Sequence, residues 1–488
     1  MKLNAVIYGA AVAVTAISFA AQANEFKPGS VRALGMGGSN VASTKGVDAS
    51  YWNPAAYGFF GEEAVTADGK SVDNNGMANK DFGLEVNVDA GAYLFGPLSA
   101  NIDKASALPT STLGATGTFN SAQIADAAAL VKGLSELDPA PAGMNALAGG
   151  TVGARVSNYG LGFRAAVDLN NAVSIDNKNV GLDLFSSFAG GISSPVLPTL
   201  SYFNGTQSTQ LQASLVASGL AAGEANAVIF AYDAALNIDP TAGGQQQAMA
   251  DALVTMANAS AVGDLTQNNT SLSTRGVVIS EVGFTYGYAI DENLSVGTVL
   301  KYMQADIISE DILLLGNNST DATTFDRNNI ETSTGFGLDL GVMYRIPSWQ
   351  FGLTARNLNK PTFEHTSGYV YEMKPQAKFG AAWIPSDTFT LEVGYDLTKN
   401  AGAVANSESQ YWNVGMEWDA FKVLALRVGA FQNTAQSDIG LVPTVGLGLN
   451  LWAARIDLAG AMSTKKEVVD GNDVPVYAMG SLAVTVDF

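Results

Sequence analysis

The chain has 488 residues, 47% of them apolar and only 14% charged, with 52 glycines, no cysteine and one histidine. Those counts exclude disulfides, thiolate metal centres and cysteine nucleophiles, and leave His365 as the sole imidazole for any catalytic or metal role. The formal net charge of −20 opposes contact with nucleic-acid phosphates or with an anionic cytoplasmic leaflet, so no nucleic-acid partner is expected.

In chain order the first segment is "MKLNAVIYGAAVAVTAISFAAQA", residues 1–23. Lys2 supplies the positive start, Ala5 to Ala20 is mostly apolar, and Ala21-Gln22-Ala23 fits a small-x-small cleavage site. This reads as an export signal. A retained membrane anchor is the alternative, disfavoured because the apolar run is short and leads straight into the cleavage pattern. No later window of about 20 residues is apolar throughout, as a spanning helix requires. An exported chain of this kind is either soluble outside the cytoplasm or an outer-membrane barrel.

Next come "RALGMGGSNVAS", Arg32 to Ser43, and "YWNPAA", Tyr51 to Ala56. A dinucleotide fingerprint would need glycine at 35, 37 and 40, but position 40 is asparagine. No strand precedes the run and no G-K-[ST] follows it. Packing explains it better: small residues let backbone lie against backbone. Pro54 pushes Asn53 toward an extended conformation, where the Asn53 side chain can close an Asx turn. A compact segment too irregular for a strand fits inside a barrel.

The N-terminal half then predicts strands near 62–69, 83–95, 150–157, 160–170 and 179–189. Two inserts interrupt it, at about 96–149 and 190–273. The first predicts a helix over 121–137, and the second has Ala-rich helical stretches near 208–236 and 245–259. We read both as long loop excursions, with a separate small domain as the alternative.

From Thr274 onward the periodicity is two. In "TGFGLDLGVMYRI", Phe336, Leu338, Leu340, Val342, Tyr344 and Ile346 share one face, opposite glycines, Asp339, Met343 and Arg345. "TFTLEVGYDLTK" and "VGFTYGYAI" repeat the pattern. Counting back from Phe488 gives about eleven strands, and about 14–16 in all. Breaks alternate in length. Short ones fall at 291–293, 347–348, 385–387 and 419–420, and long polar ones near 309–331, 359–373, 399–409 and 432–440. Short turns at one end and long loops at the other characterise a bacterial membrane barrel, and a soluble sandwich has no reason for that regularity. Trp349, Trp383, Trp418 and Trp452 lie beside the short turns, as an interfacial girdle would place them. The chain ends "YAMGSLAVTVDF", with Leu482, Val484, Val486 and Phe488 on one face. The fold class is therefore all-β: a transmembrane antiparallel barrel of about 14–16 strands over 62–488, with helical loop inserts.

"VRALGMGGSNVASTKGVDASYWNPAA" resembles the N-terminal signature of the FadL-like outer-membrane superfamily. The match lies in Arg32, Gly35, Met36, Gly37, Gly38 and Ser39, then Trp52, Asn53, Pro54 and Ala55. "GLTARNLNKP" and "AKFGAAWIPSDTFTLEVGYDLTKN" resemble the PorV-like and conjugal-transfer TraF-like branches. The resemblance implies that residues 24–61 plug the lumen, with Arg32, Gly35, Met36, Gly37, Gly38, Asn53, Pro54 and Ala55 as the plug motif. The terminal Phe488 resembles the signal read by the barrel-assembly machinery. Implied partners are outer-membrane lipids, that machinery, and either a hydrophobic small molecule such as a fatty acid or conjugation and secretion proteins. Ligand-contacting residues of the transporters find no match here. Passive uptake of hydrophobic molecules is the leading expectation, and a component of a conjugal transfer or secretion apparatus the alternative.

Enzymatic chemistry is not expected, nor any cofactor or metal. His365 sits in "FEHTSG" with only loop polarity around it, and "DGND" (470–473) lacks the ligand spacing of a calcium loop. The inward charges Asp339, Arg345, Arg356, Glu392 and Asp396 read as structural cross-barrel pairs.

Overall fold

The computed structural model describes mainly residues 29–60, 82–107, 137–177, 203–217, 268–313, 330–401, 408–451, 454–469 and 472–487, with isolated positions between 64–72 and 221–233 and single breaks at 45, 141, 178, 367 and 438. Fourteen strands close into one antiparallel barrel. They are β1 (Phe82–Phe95), β2 (Ala142–Val156), β3 (Tyr159–Ser174), β4 (Ser271–Ala289), β5 (Leu294–Leu313), β6 (Ile330–Ile346) and β7 (Trp349–Arg356). Then follow β8 (Gln376–Ser386), β9 (Phe389–Asp396), β10 (Tyr411–Ala420), β11 (Leu424–Asn433), β12 (Leu441–Leu451), β13 (Ala454–Met462) and β14 (Tyr477–Asp487). Each pairs with the next, and β14 pairs with β1 in a register that sets Val484 opposite Val86. Closure leaves no edge strand with unpaired backbone groups, which is the condition for crossing a bilayer with strands. Among the described residues no helix is long and apolar enough to cross one.

The pleat assigns the two faces. On β6, Phe336 is 69% exposed, and Leu340, Val342, Tyr344 and Ile346 also point outward, while Asp339, Met343 and Arg345 are buried inside. The same outward series runs through Leu161, Phe284, Val393, Val445 and Leu458 on other strands. A continuous apolar belt of this kind is rare on a water-exposed monomer, and it matches the hydrocarbon of a membrane. Trp349, Trp383 and Trp418 are all exposed beside short turns, and Trp349 pairs directly with Trp383.

Eleven strands run from Ser271 to Asp487, as the periodicity predicts, and the N-terminal half adds only three. Of the expected strand at 62–69 only Ala64–Val65 is described, as a two-residue ladder with Ser71–Val72 in a sheet separate from the barrel; the rest lies outside the described residues. β2 starts at Ala142, so the insert boundary expected at 149 falls inside it; the Ala- and Gly-rich run there alternates too weakly to read as strand. β4 likewise begins at Ser271, inside the expected end of the second insert. The turn placed at 419–420 lies instead at 421–423, where Phe421 and Lys422 take positive φ of 58° and 59° and an aromatic side chain hides the turn. β8 runs through Pro385 and Ser386 by means of a register shift, leaving 387–388 as its turn. Three long loops carry small ladders: Thr362–Glu364 with Val370–Glu372, Asn400–Ala401 with Glu408–Ser409, and Lys466–Val469 with Asn472–Pro475. The inserts contribute two described helices, Leu98–Ser106 and Gly205–Ala217. The export signal, the predicted strand at 179–189, the helix over 121–137 and the stretch at 245–259 lie wholly or almost wholly outside the described residues, as do Trp452 and Phe488.

Candidate functional site

Residues 29–60 pack against the lumen face in the half of the barrel nearest the short turns. Ser30 caps helix α1 (Val31–Gly35), its hydroxyl accepting from the Ala33 N–H at 3.3 Å. A second one-turn helix, α2 (Ala49–Trp52), is followed by a 3₁₀ stretch, Pro54–Phe59. α1 lies on β11–β14, and the 3₁₀ stretch on β4–β6, so the segment crosses the bore.

The wall meets it with glycines. Gly287 on β4, Gly297 on β5, Gly341 on β6, Gly352 on β7, Gly415 on β10 and Gly429 on β11 all face it, and a β-carbon on any of them would come within 3.0 Å of its atoms. The segment is equally small in return. A β-carbon on Gly37 would lie 2.6 Å from the Ala430 backbone, and its φ of +65° is one that glycine adopts without strain. Gly35 approaches the backbone of Gly446 on β12 in the same way.

Charged and polar groups fix the register. Arg32 is 2% exposed and forks onto Glu417 of β10, with N···O distances of 2.9 and 3.0 Å. Its remaining N–H groups donate to Asn40 and to the Ser43 carbonyl. Glu417 also accepts from Arg427 on β11, which donates to Asp457 on β13, and Asp457 accepts from Arg455. Glu392 on β9 accepts the backbone N–H groups of Val41, Ala42 and Ser43 at 2.8–3.0 Å, and the Ser43 hydroxyl as well. The Asn53 carboxamide oxygen accepts from the Ala55 N–H at 3.1 Å, the Asx turn expected before Pro54. Its NH₂ donates to the Val41 carbonyl and to the Val342 carbonyl of β6. Met36 is fully buried, and Gly38 takes φ of +82°. Asp48 accepts from the Ser30 hydroxyl, and burial pushes its carboxyl above the usual range.

The aromatics of this segment meet wall cations. Arg164 and Arg356 both lie over the Tyr51 ring, 4.4 and 3.9 Å from its centroid, Arg345 over Phe59 at 4.0 Å, Arg155 over Phe60 at 4.8 Å, and Lys378 near Trp52 at 5.5 Å. Such contacts are worth about 0.5–2 kcal/mol each, the upper end applying where water is excluded.

Toward the long loops the same faces change character. Inward positions of β5 run Ser295, Gly297, Val299, Lys301 and then Met303, Ala305, Ile307. On β4 they pass from Thr285 and Glu281 to Ile279 and Val277, and on β1 from Glu85 and Asn87 to Tyr93 and Phe95. Phe431 on β11, Val442 on β12, Ala461 on β13 and Met479 on β14 complete one apolar cluster, while Phe363, Tyr371 and Met373 of the 362–373 hairpin fold onto β4 and β5 to form another.

Asp339, Arg345, Arg356, Glu392 and Asp396 all point inward and are engaged: Asp339 with Lys301 at 2.9 Å, Asp396 with Lys378 at 3.3 Å. Sequence reasoning did not single out Glu417, Arg427, Asp457 or the wall glycines. Their signal was position, since each occupies the face opposite the apolar series. His365 is 8% exposed in the hairpin, where its backbone N–H donates to the Tyr369 carbonyl. Asp473 of "DGND" pairs with Lys466 across a ladder. Among the described residues no group of three His, Asp or Glu side chains could hold a metal ion.

Residues 196–396 match the family model described as "F plasmid transfer operon, TraF, protein". The chain is similar to the TraF family. The match spans part of the second insert and β4–β9, and does not include the Arg32–Ala55 run. No curated protein matches the chain. Among solved structures, the chain is similar to the toluene transporter TbuX of Ralstonia pickettii (TM-score 0.44, 11% identity, 94% of this chain and 97% of that one). It is also similar to the P. putida toluene transporter TodX (0.43, 10%, 94% and 98%) and to a Pseudomonas aeruginosa FadL homologue (0.42, 10%, 96% and 99%).

Proposed function

We propose that the protein is a bacterial outer-membrane barrel for passive uptake of hydrophobic small molecules, with fatty acids as the class the family resemblance suggests. The observation that carries this reading is the change of the lumen face from glycine and charge to Met303, Ala305 and Ile307 on β5, and to Tyr93 and Phe95 on β1. Water-filled barrels keep a polar lumen. An apolar molecule entering from the long-loop end would exchange water for these side chains at roughly 25 cal/mol per Å² buried. Residues 29–60 act as the plug: they stand between that level and the short turns, and must shift for the molecule to leave. Downhill movement needs no cofactor and no catalytic group. The outer membrane is the matching compartment, reached through the export signal of residues 1–23 and the assembly machinery that reads the C-terminal strand ending in Phe488.

The match to the TraF family supports a second reading, a component of a conjugal transfer or secretion apparatus whose inserts dock partner proteins. A deletion strain separates the two when growth on hydrophobic carbon sources is scored beside plasmid transfer. The uptake reading expects growth and labelled fatty-acid uptake to fall while transfer holds. Unchanged uptake overturns it, and loss of transfer alone installs the second reading. Placement is tested separately: a heat-modifiable band in the outer-membrane fraction is expected, and recovery in a soluble periplasmic fraction would reject it.

A further inference from the structure

Beside Tyr51 the plug and the wall line a partly open cavity of about 40 Å³. One water needs roughly 10–15 Å³ measured this way, so the space exceeds a single water. Its charged lining is unequal: Arg164, Lys301 and Arg356 against Glu281 and Asp339. The five groups pair loosely: Lys301 lies 2.9 Å from Asp339 and 3.9 Å from Glu281, Arg356 3.5 Å from Asp339 and 3.9 Å from Glu281, and Arg164 3.7 Å from Glu281, which leaves one positive charge in excess. Thr285 on β4 supplies the second, independent observation. It is fully buried, it lines the cavity, and its hydroxyl has no hydrogen-bond partner among the described residues. Buried hydroxyls are almost always paired, and one that donates into a space with an excess cation is set to meet an acceptor of negative charge.

We propose that this cavity is a binding site for a small monovalent inorganic anion of chloride size, held by the Thr285 hydroxyl and the excess positive charge of Arg164, Lys301 and Arg356. A metal cation would add to a positive site, and a phosphate dianion carries more charge than the single excess offsets. Ser50 and Tyr51 of the plug form one side of the cavity and the barrel wall the other, so the anion binds only the seated plug and stabilises that state by mass action. This inference does not rest on the transport reading.

Bromide is the probe. Crystals of the detergent-extracted full chain grown in sodium bromide should give an anomalous peak between Thr285 and Arg356. The thermal unfolding midpoint should be several degrees higher in chloride than in gluconate at equal ionic strength. Thr285→Val keeps the shape and all charges, and should remove both the peak and the chloride dependence without lowering the midpoint in gluconate. Arg164→Gln, which brings the lining charge to zero, should do the same to the peak. Water density with no anomalous signal overturns the proposal, as does a chloride effect that survives unchanged in Thr285→Val.

Discussion

The two levels of the lumen are built on the same strands and differ in what they allow. Near the short turns the inward positions are glycines and charges, matched either to atoms of residues 29–60 or to one another across the wall. Near the long loops the inward positions of β1, β4, β5 and β11–β14 are apolar and match one another, Val31 and Leu34 of α1, or the 362–373 hairpin. The outer face changes in the opposite sense: on β5 its exposed apolar series ends at Tyr302, and Gln304 and Asp306 follow where the inner face turns to Met303, Ala305 and Ile307. The level with matched charges is expected to tolerate substitution least.

The largest effect should come from Glu417→Gln. It removes the charge that both Arg32 and Arg427 share inside the barrel. Stranding buried cations costs about 3–5 kcal/mol, which should show as a lower urea midpoint for unfolding from lipid vesicles. A cost below about 1 kcal/mol would mean that the lower level is wet and its network dispensable. Next is the apolar belt of the outer face. Leu340→Lys puts a charge among its exposed apolar side chains and should cost about 2–4 kcal/mol and impair assembly. Normal assembly would reverse the face assignment of β6. Glu392→Gln comes third. It keeps the shape but weakens three backbone N–H bonds to the plug, each charge-assisted bond being worth about 1.5–3 kcal/mol. Limited proteolysis should then cut near Val41–Ser43 faster, with the barrel's heat-modified band unchanged. Equal protection in both proteins would detach Glu392 from plug seating.

Much of this was legible in the sequence. Period-two alternation, turn length and the tryptophans give the strands of the C-terminal half and their faces, because lipid imposes one demand on every outward position of the apolar belt. The N-terminal half was harder. Around 142–149 Ala and Gly stand on both faces, and nothing marks the start of β2. The plug partners were hidden for a different reason. Arg32 and Glu417 lie 385 positions apart, and a glycine such as Gly297 reads as a weak strand residue until Pro54 is placed against it. The change from Lys301 to Met303 could be read on β5 alone, but it becomes a level only when β1, β4 and β11 repeat it at the same height.

The smallest expected change in stability tests the upper level. Met303 is fully buried on β5 among Ile279, Ala305 and Phe363. Met303→Gln keeps length and flexibility and places an amide there, at a cost of about 1–3 kcal/mol. If this level holds hydrophobic molecules, the variant should assemble normally yet bind a fluorescent fatty acid several-fold more weakly, because the amide keeps its water. Leu at the same position should bind like the parent. If Met303→Gln and Met303→Leu bind alike, the apolar level serves packing of the 362–373 hairpin alone, and the contrast between the two halves of the lumen is one of architecture and not of transport.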